Sequence, residues 1–286
     1  MSSKDLIMVV IYERENKEIP YTSLTFSGGE EHIRLDLEGI PKRGKKYIKI
    51  KTRLTSSKAV MQLLMSVGAL REHFGKRVKI HLECDYFPYA RQDRVCNKGE
   101  AFSLEIMCNL INSLKLDHVY VTDPHSGVLT GLVDNLVVMP QYEVFTLYED
   151  CYTLRPDLVV SPDKGATEKS RCVAQILRVT DVIQASKVRD TLTGNIIETV
   201  VEGNVEGLDI LIPDDICDGG RTFTELAKVL KKKGAKSLTL YVTHGIFSKG
   251  FKVFEGLFDH IITTDSFKAK EDYINDSTVR LTIIEL

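Results

Sequence analysis

Residues 210–222 read ILIPDDICDGGRT. The largely apolar run 208–212 suits a central parallel strand, and Pro213 is expected to stop its ladder, so that a loop begins there. Downstream, Thr222 and Glu225 have the T-x-x-E spacing of a capping box. Phe223, Leu226, Ala227 and Leu230 recur at helical spacing before Gly234 ends the helix. The stretch is a strand, a loop and a helix start. Backbone N–H groups at a helix start lack intrahelical partners, the helix dipole is positive there, and glycines let the chain curl tightly. Gly219, Gly220, Arg221 and Thr222 therefore suit a phosphate, with Asp218 opening the cradle. Asp214 and Asp215 would repel a phosphate, so they read as acceptors for sugar hydroxyls or as metal partners beside it. A sugar phosphate satisfies both ends. Taken alone, the stretch also reads as a Gly-rich turn with solvated acids. The P-loop and dinucleotide-binding glycine fingerprints are both absent.

Outward from this loop, short apolar, β-branched runs alternate with amphipathic stretches. Residues 6–11, 47–54, 77–82, 118–122, 157–160, 208–212, 237–243 and 260–264 read as strands. Helical patterns lie between them, as at 58–74 closed by Gly75 and at 102–114 with Leu104, Met107, Cys108 and Ile111 on one face. The fold class is α/β with mainly parallel sheets flanked by helices. The segment 139–155 interrupts the alternation between two comparable halves, which divides the chain into domains 1–145 and 146–286. A polar hairpin is expected at 191–199, turning on Thr193, Gly194 and Asn195.

The chain of 286 residues is 43% hydrophobic and 27% charged, enough for two packed domains. A formal net charge of −2 gives no electrostatic case for nucleic acid or an anionic membrane as partner, and leaves a small anionic ligand open. The six cysteines lack the spacing of a zinc site or of a secreted disulfide framework, which points to a reducing cytoplasm. The apolar run near the start is too short for a signal peptide or a membrane span.

The stretch ILIPDDICDGGRT resembles the phosphoribosyl diphosphate motif shared by phosphoribosyltransferases and ribose-phosphate pyrophosphokinases, and five further segments choose between them. YARQDR at 89–94 resembles the nucleotide-binding motif of the pyrophosphokinases, which phosphoribosyltransferases lack. Arg91 offers a planar donor fork for polyphosphate, Gln92 can hydrogen-bond a nucleotide, and Asp93 joins them. FSGGEE at 26–31 resembles the segment that surrounds adenine from a neighbouring subunit, with Phe26 to stack, Glu30 to accept, and Gly28 and Gly29 between them. Gly28 departs from the acidic or amide residue usual there. VTDPHSG at 121–127 resembles the family's segment whose histidine joins magnesium and nucleotide binding, which implies that role for His125 with Asp123 close by. SPDKG at 161–165 resembles the segment carrying the second metal-site aspartate, here Asp163. Lys187 and Arg189 fall on the K-x-R of a mobile catalytic hairpin. THGIFSKG at 243–250 and TTDS at 263–266 continue the resemblance in order and spacing. As bare sequence, each segment has a plain structural reading: a charged loop, a hairpin turn, a satisfied histidine, a surface Lys-x-Arg. Together they resemble a class I-like ribose-phosphate pyrophosphokinase built of two phosphoribosyltransferase-type domains. Val95, Lys98, Gly99 and DGGRT depart from the family's usual residues.

That resemblance implies a nucleotide-biosynthesis enzyme that moves a diphosphate from ATP to ribose 5-phosphate, with magnesium, giving phosphoribosyl pyrophosphate and AMP. Catalysis would rest on alignment and on charge stabilisation by magnesium, Lys187 and Arg189. The partners implied are ATP and ribose 5-phosphate, in a cytoplasmic homo-oligomer built of dimers, with a hexamer as the larger form. Two alternatives stay open on sequence: a catalytically silent regulatory subunit and a phosphoribosyltransferase.

Overall fold

The computed structural model describes residues 6–12, 15–40, 46–189 and 196–286. They form two compact units, 1–139 and 140–286.

Unit 1 contains β1 (Leu6–Tyr12), β2 (Glu15–Glu18), β3 (Tyr21–Thr25), β4 (Glu31–Leu35), β5 (Lys46–Thr52), α1 (Ser57–Phe74), β6 (Lys79–Glu83), α2 (Ser103–Ser113), β7 (His118–Thr122) and β8 (Leu136–Met139). The main sheet has the order β2-β1-β5-β6-β7-β8, parallel from β5 to β8, while β1 runs antiparallel to both of its neighbours. β3 and β4 form a separate hairpin. Ser56 caps α1 by accepting from the Ala59 amide at 3.1 Å, and Gly75 closes it with a φ of +89°, as its sequence pattern predicts. Alternation sends Ile48 and Ile50, Ile80 and Leu82, and Val119 and Val121 into one core with Leu63, Val67, Leu104 and Ile111 of the two helices. Both helices therefore cover the same face. The other face carries Tyr47, Lys49, His81, Glu83, His118 and Tyr120, with Tyr47 stacked on His81 at 4.7 Å.

Unit 2 contains α3 (Gln141–Phe145), β9 (Leu158–Ser161), α4 (Thr167–Leu177), β10 (Val182–Arg189), β11 (Ile196–Val201), β12 (Asp209–Cys217), α5 (Arg221–Lys232), β13 (Ser237–Gly245), β14 (His260–Thr264) and β15 (Arg280–Ile284). Its sheet order is β11-β10-β9-β12-β13-β14-β15, parallel throughout except for β11. β9 and β12 are central and almost wholly buried, which is why residues 158–160 and 210–212 read as apolar runs. Ile210 and Ile212 pack with Phe223, Leu226 and Leu230 of α5, while Leu211 faces Val173 and Leu177 of α4. The sheet is thus covered by helices on both faces. The expected turn at Thr193, Gly194 and Asn195 lies outside the described residues, although β10 and β11 pair antiparallel on either side of it. Among the described residues no helix is long and apolar enough to cross a membrane.

One expectation fails here. Pro213 does not end the strand: β12 continues to Cys217, with Pro213 opposite Tyr241 and Asp214 opposite Val242. The pairing with β9 stops at Leu211, so beyond it β12 has one paired edge, and a proline nitrogen without a hydrogen is tolerated there.

Candidate active site

The order of strands in unit 2 reverses direction between β9 and β12, since β10 lies outside β9 while β13 to β15 extend from β12. Ligands of open α/β sheets bind at such a switch point, outside the carboxyl ends of the strands. Asp163 follows β9, Asp214 and Asp215 lie in the last turn of β12's ladder, and Asp218 to Thr222 run from β12 into α5. These candidate residues share one end of one sheet.

The Asp163 turn is tightly tied. Its Oδ1 accepts the amides of Gly165 at 3.0 Å and Ala166 at 3.3 Å, and its carbonyl accepts the hydroxyls of Ser161 at 2.6 Å and Thr167 at 3.2 Å. Asp214 Oδ1 accepts the Asp215 amide at 2.8 Å, and Asp215 Oδ1 accepts the Ile216 amide at 2.9 Å. Lys169 of α4 lies 3.8 Å from Asp215. Asp214 keeps a little open surface at the strand end but is otherwise surrounded by protein. Burial first, then the charge of Asp215 and more weakly that of Asp163, push its carboxyl well above the usual carboxylate range. The carbonyl of Asp214 accepts from Nε2 of the buried Gln141.

The helix start also differs from expectation. Gly220, not Thr222, is the N-cap of α5: its carbonyl accepts the Thr224 amide at 2.9 Å, and Thr222 is already the second helical residue. The T-x-x-E spacing therefore builds no capping box, because a φ of +76° at Gly220 starts the helix earlier than the hydroxyl could cap it. No side chain caps this terminus. The first amides of α5 keep their donor capacity for a ligand. Arg221 turns along the helix, 3.7 Å from Glu225, with its side chain 78% exposed.

A second turn braces this loop. Cys217 O accepts the amides of Ile246 at 2.9 Å and Phe247 at 3.1 Å, Asp218 O accepts the Ser248 amide at 3.1 Å, and Ser248 Oγ donates to Asp218 Oδ1 at 2.7 Å. A Cβ added to Gly219 would meet Lys249 Cε at 3.5 Å. Neither Ser248 nor Lys249 stands among the candidates read from sequence. The signal available was THGIFSKG, a segment recognised there but given no role.

In unit 1, Phe26 to Glu30 connect β3 and β4, with the Phe26 amide donating to Glu30 O at 2.8 Å and Gly29 at a φ of +93°. Phe26 is 52% exposed at the hairpin tip. Glu31, next to the candidate Glu30, is the carboxylate that binds locally, accepting from Thr25 at 2.7 Å and lying 3.2 Å from Lys58. Arg91 and Gln92 are exposed in a turn, whereas Asp93 is buried and lies 3.1 Å from Arg94 Nε. Asp123 is buried at the end of β7, with a φ of +41° and its amide on Met139 O at 2.7 Å, and His125 follows half-buried. Among the described non-glycine residues with positive φ, Tyr89, Asp123 and Phe247 fall within YARQDR, VTDPHSG and THGIFSKG. Left-handed backbone at such residues concentrates at functional sites. The backbones of Lys187 and Arg189 lie on β10, opposite Thr199 and Ile196, with a register shift between Val188 and Arg189, and their side chains lie outside the described structure.

The phosphoribosyl transferase domain family matches residues 144–260, the part of unit 2 that holds the switch point. A ribose-phosphate pyrophosphokinase of Hyphomonas neptunium is 30% identical over 266 residues, covering 90% of this chain and 82% of its own length. One from Rhizobium meliloti is 33% identical over 228 residues, 78% of this chain and 72% of its own length. The crystal structure of phosphoribosylpyrophosphate synthetase from Mycobacterium smegmatis superposes with a TM-score of 0.79, covering 93% of this chain and 86% of its own at 24% identity, and so shares the fold. Likeness of sequence across both units makes this chain a member of the ribose-phosphate pyrophosphokinase family.

Proposed function

We propose that the protein transfers the β,γ-diphosphate of ATP to O1 of ribose 5-phosphate. The observation that carries this reading is the set at the unit 2 switch point, with Asp214 and Asp215 beside the uncapped start of α5. The amides of residues 219–222 hold the 5-phosphate, and Asp214 and Asp215 accept from the ribose hydroxyls. A carboxyl whose pKa burial and neighbouring acids raise gains most from donors, which supports the hydroxyl assignment for Asp214. In unit 1 the nucleotide is assigned to Arg91 and Gln92, and to Phe26, Gly28, Gly29 and Glu30. The exposed hairpin supports service to a neighbouring subunit's nucleotide, in a homo-oligomer built of dimers. For Asp93, burial and the contact with Arg94 support a role in shaping the turn.

In the reaction the O1 oxygen attacks the β-phosphorus and the bond from that phosphorus to the bridging oxygen of the α-phosphate breaks. AMP leaves with the electron pair, and the hydroxyl proton is lost from O1. No protein nucleophile is needed, so the residues act by alignment and by opposing charge, with Lys187 and Arg189 assigned to the transferring diphosphate. Magnesium fits the donors present. Asp163 and Asp215 bring carboxyl groups to the neighbouring ends of β9 and β12, and among the described residues no group of three or more His, Cys, Asp and Glu could hold a metal by itself. Hard oxygen from Asp163, with Asp123 and His125 assigned on the nucleotide side, suits an ion completed by phosphates and water. When bound, the ion would neutralise phosphate charge. The free state of all six cysteines supports a reducing, cytoplasmic setting.

Incubating the protein with ATP, magnesium and ribose 5-phosphate tests the reading: AMP should form only when the sugar phosphate is present. A folded sample that forms none would overturn it.

A further inference from the structure

We propose that Lys249 is a binding residue for the 5-phosphate of the acceptor sugar. The inference deepens the sugar-phosphate reading of residues 218–222 and rests on it.

The placement is rigid. The hydrogen bonds from Ile246, Phe247 and Ser248 to Cys217 and Asp218 fix the turn that carries Lys249 directly onto the loop. Phe247, at a φ of +45°, packs its ring 4.7 Å from that of Phe251 and 5.8 Å from that of Phe254, which locks the turn from beneath. Lys249 Cε and Cδ lie 3.5 and 3.6 Å from the point where a Cβ on Gly219 would stand, so the lysine stem lies along the loop's backbone. A lysine that rests its methylenes on a surface keeps its ammonium at the edge, in solvent.

The charge pattern supplies the reason. Asp215 and Asp218 closely precede Gly219 in the chain, and carboxylates so placed oppose a phosphate at the cradle unless a cation offsets them. Arg221 is engaged along the helix with Glu225. Among the described residues no carboxylate forms an ion pair with Lys249, whose ammonium is thus the available cation beside Gly219. Gly219 needs no glycine for its φ, and an added Cβ would make only ordinary contacts. The lysine stem would tolerate that Cβ, so the bare backbone is understood as room for a phosphate.

The test is calorimetric titration of the full chain with ribose 5-phosphate in the absence of ATP, over a range of salt, beside the AMP assay. Lys249→Ala should weaken ribose 5-phosphate binding by about tenfold, the scale of one charge-assisted hydrogen bond, and should flatten its salt dependence. The KM for the sugar phosphate should rise by a similar factor while kcat and the KM for ATP stay within about twofold, and Lys249→Arg should recover most of the loss. Unphosphorylated ribose should bind both proteins equally. Unchanged affinity and salt dependence in Lys249→Ala, or failure of the parent protein to bind ribose 5-phosphate, would overturn the proposal. If the parent protein binds the sugar phosphate through Lys249 yet forms no AMP, the diphosphate-transfer reading falls and the Lys249 assignment stands. If it forms AMP and Lys249→Ala is indistinguishable from it, the reverse holds.

Discussion

The ring of Phe254 lies 2.5 Å from the point where a Cβ on Gly220 would stand, and Gly220 has a φ of +76°. Two independent constraints thus demand glycine where β12 passes into α5. Gly220→Ala should cost about 2–4 kcal/mol from the left-handed backbone and the displaced ring together. Thermal melting checks the stability. The KM for ribose 5-phosphate should rise more than that for ATP, because the loop that moves is the one assigned to the sugar phosphate. A variant that melts with the parent protein would contradict this account of the helix start.

Asp214 is a carboxyl that the fold holds in an unfavourable place, through burial first and the charge of Asp215 second. A group whose folded pKa lies above its unfolded value opposes folding as pH rises through the folded pKa. Asp214→Asn should therefore leave the melting temperature at neutral pH unchanged or higher, measured without ligand or magnesium. Turnover with ribose 5-phosphate should fall at least about tenfold, since an amide nitrogen replaces one of the acceptors assigned to the ribose hydroxyls. A variant that loses stability and keeps activity would reverse the assignment.

Lys187 stands opposite Thr199 on β10. If its charge acts on the transferring diphosphate, Lys187→Ala should lower kcat by about 10²–10³ and leave the KM for ribose 5-phosphate within a few-fold. Steady-state kinetics in both substrates distinguishes this from a binding role, which would raise KM and leave kcat unchanged.

His260 donates to or accepts from Thr282 Oγ1 at 2.9 Å, and burial, then the positive charge of Arg280, lowers its pKa to about 4. Its unfolded value is higher, so the unfolded chain binds the proton more readily in the interval between the two. The stability tied to neutral His260 is complete above about pH 6.5 and is lost as pH falls toward about 4. Melting temperatures of the parent protein and His260→Gln, compared from pH 7.5 to pH 4.5, should converge as the pH drops. A constant gap would remove His260 as the source.

The alternation of apolar runs with amphipathic stretches was enough to read the α/β class, and the spacing of Phe223, Leu226, Ala227 and Leu230 gave the buried face of α5 directly. What failed were local rules whose outcome depends on distant neighbours. Pro213 ends a ladder only where both edges are paired, and the length of β9 decides that. The T-x-x-E pattern at Thr222 is correct as spacing but is overridden by a backbone angle at Gly220. Lys249 reaches Gly219 from the end of another strand, so no window around DGGRT contains it. The covering of the unit 1 sheet on one face was equally hidden, because alternation tells which residues share a face and not where α1 and α2 will lie.

The double acceptance at Cys217 O, from Ile246 and Phe247, together with the Ser248 bonds to Asp218, joins the ends of β12 and β13 into one stiff seat. A seat that is already shaped has little disorder to surrender when the sugar phosphate proposed for it arrives. The enthalpy of that association should then vary weakly with temperature, since scarcely any surface is newly hidden from water. The logarithm of the affinity would then run nearly straight against inverse temperature, while added salt would weaken it through the charged contacts.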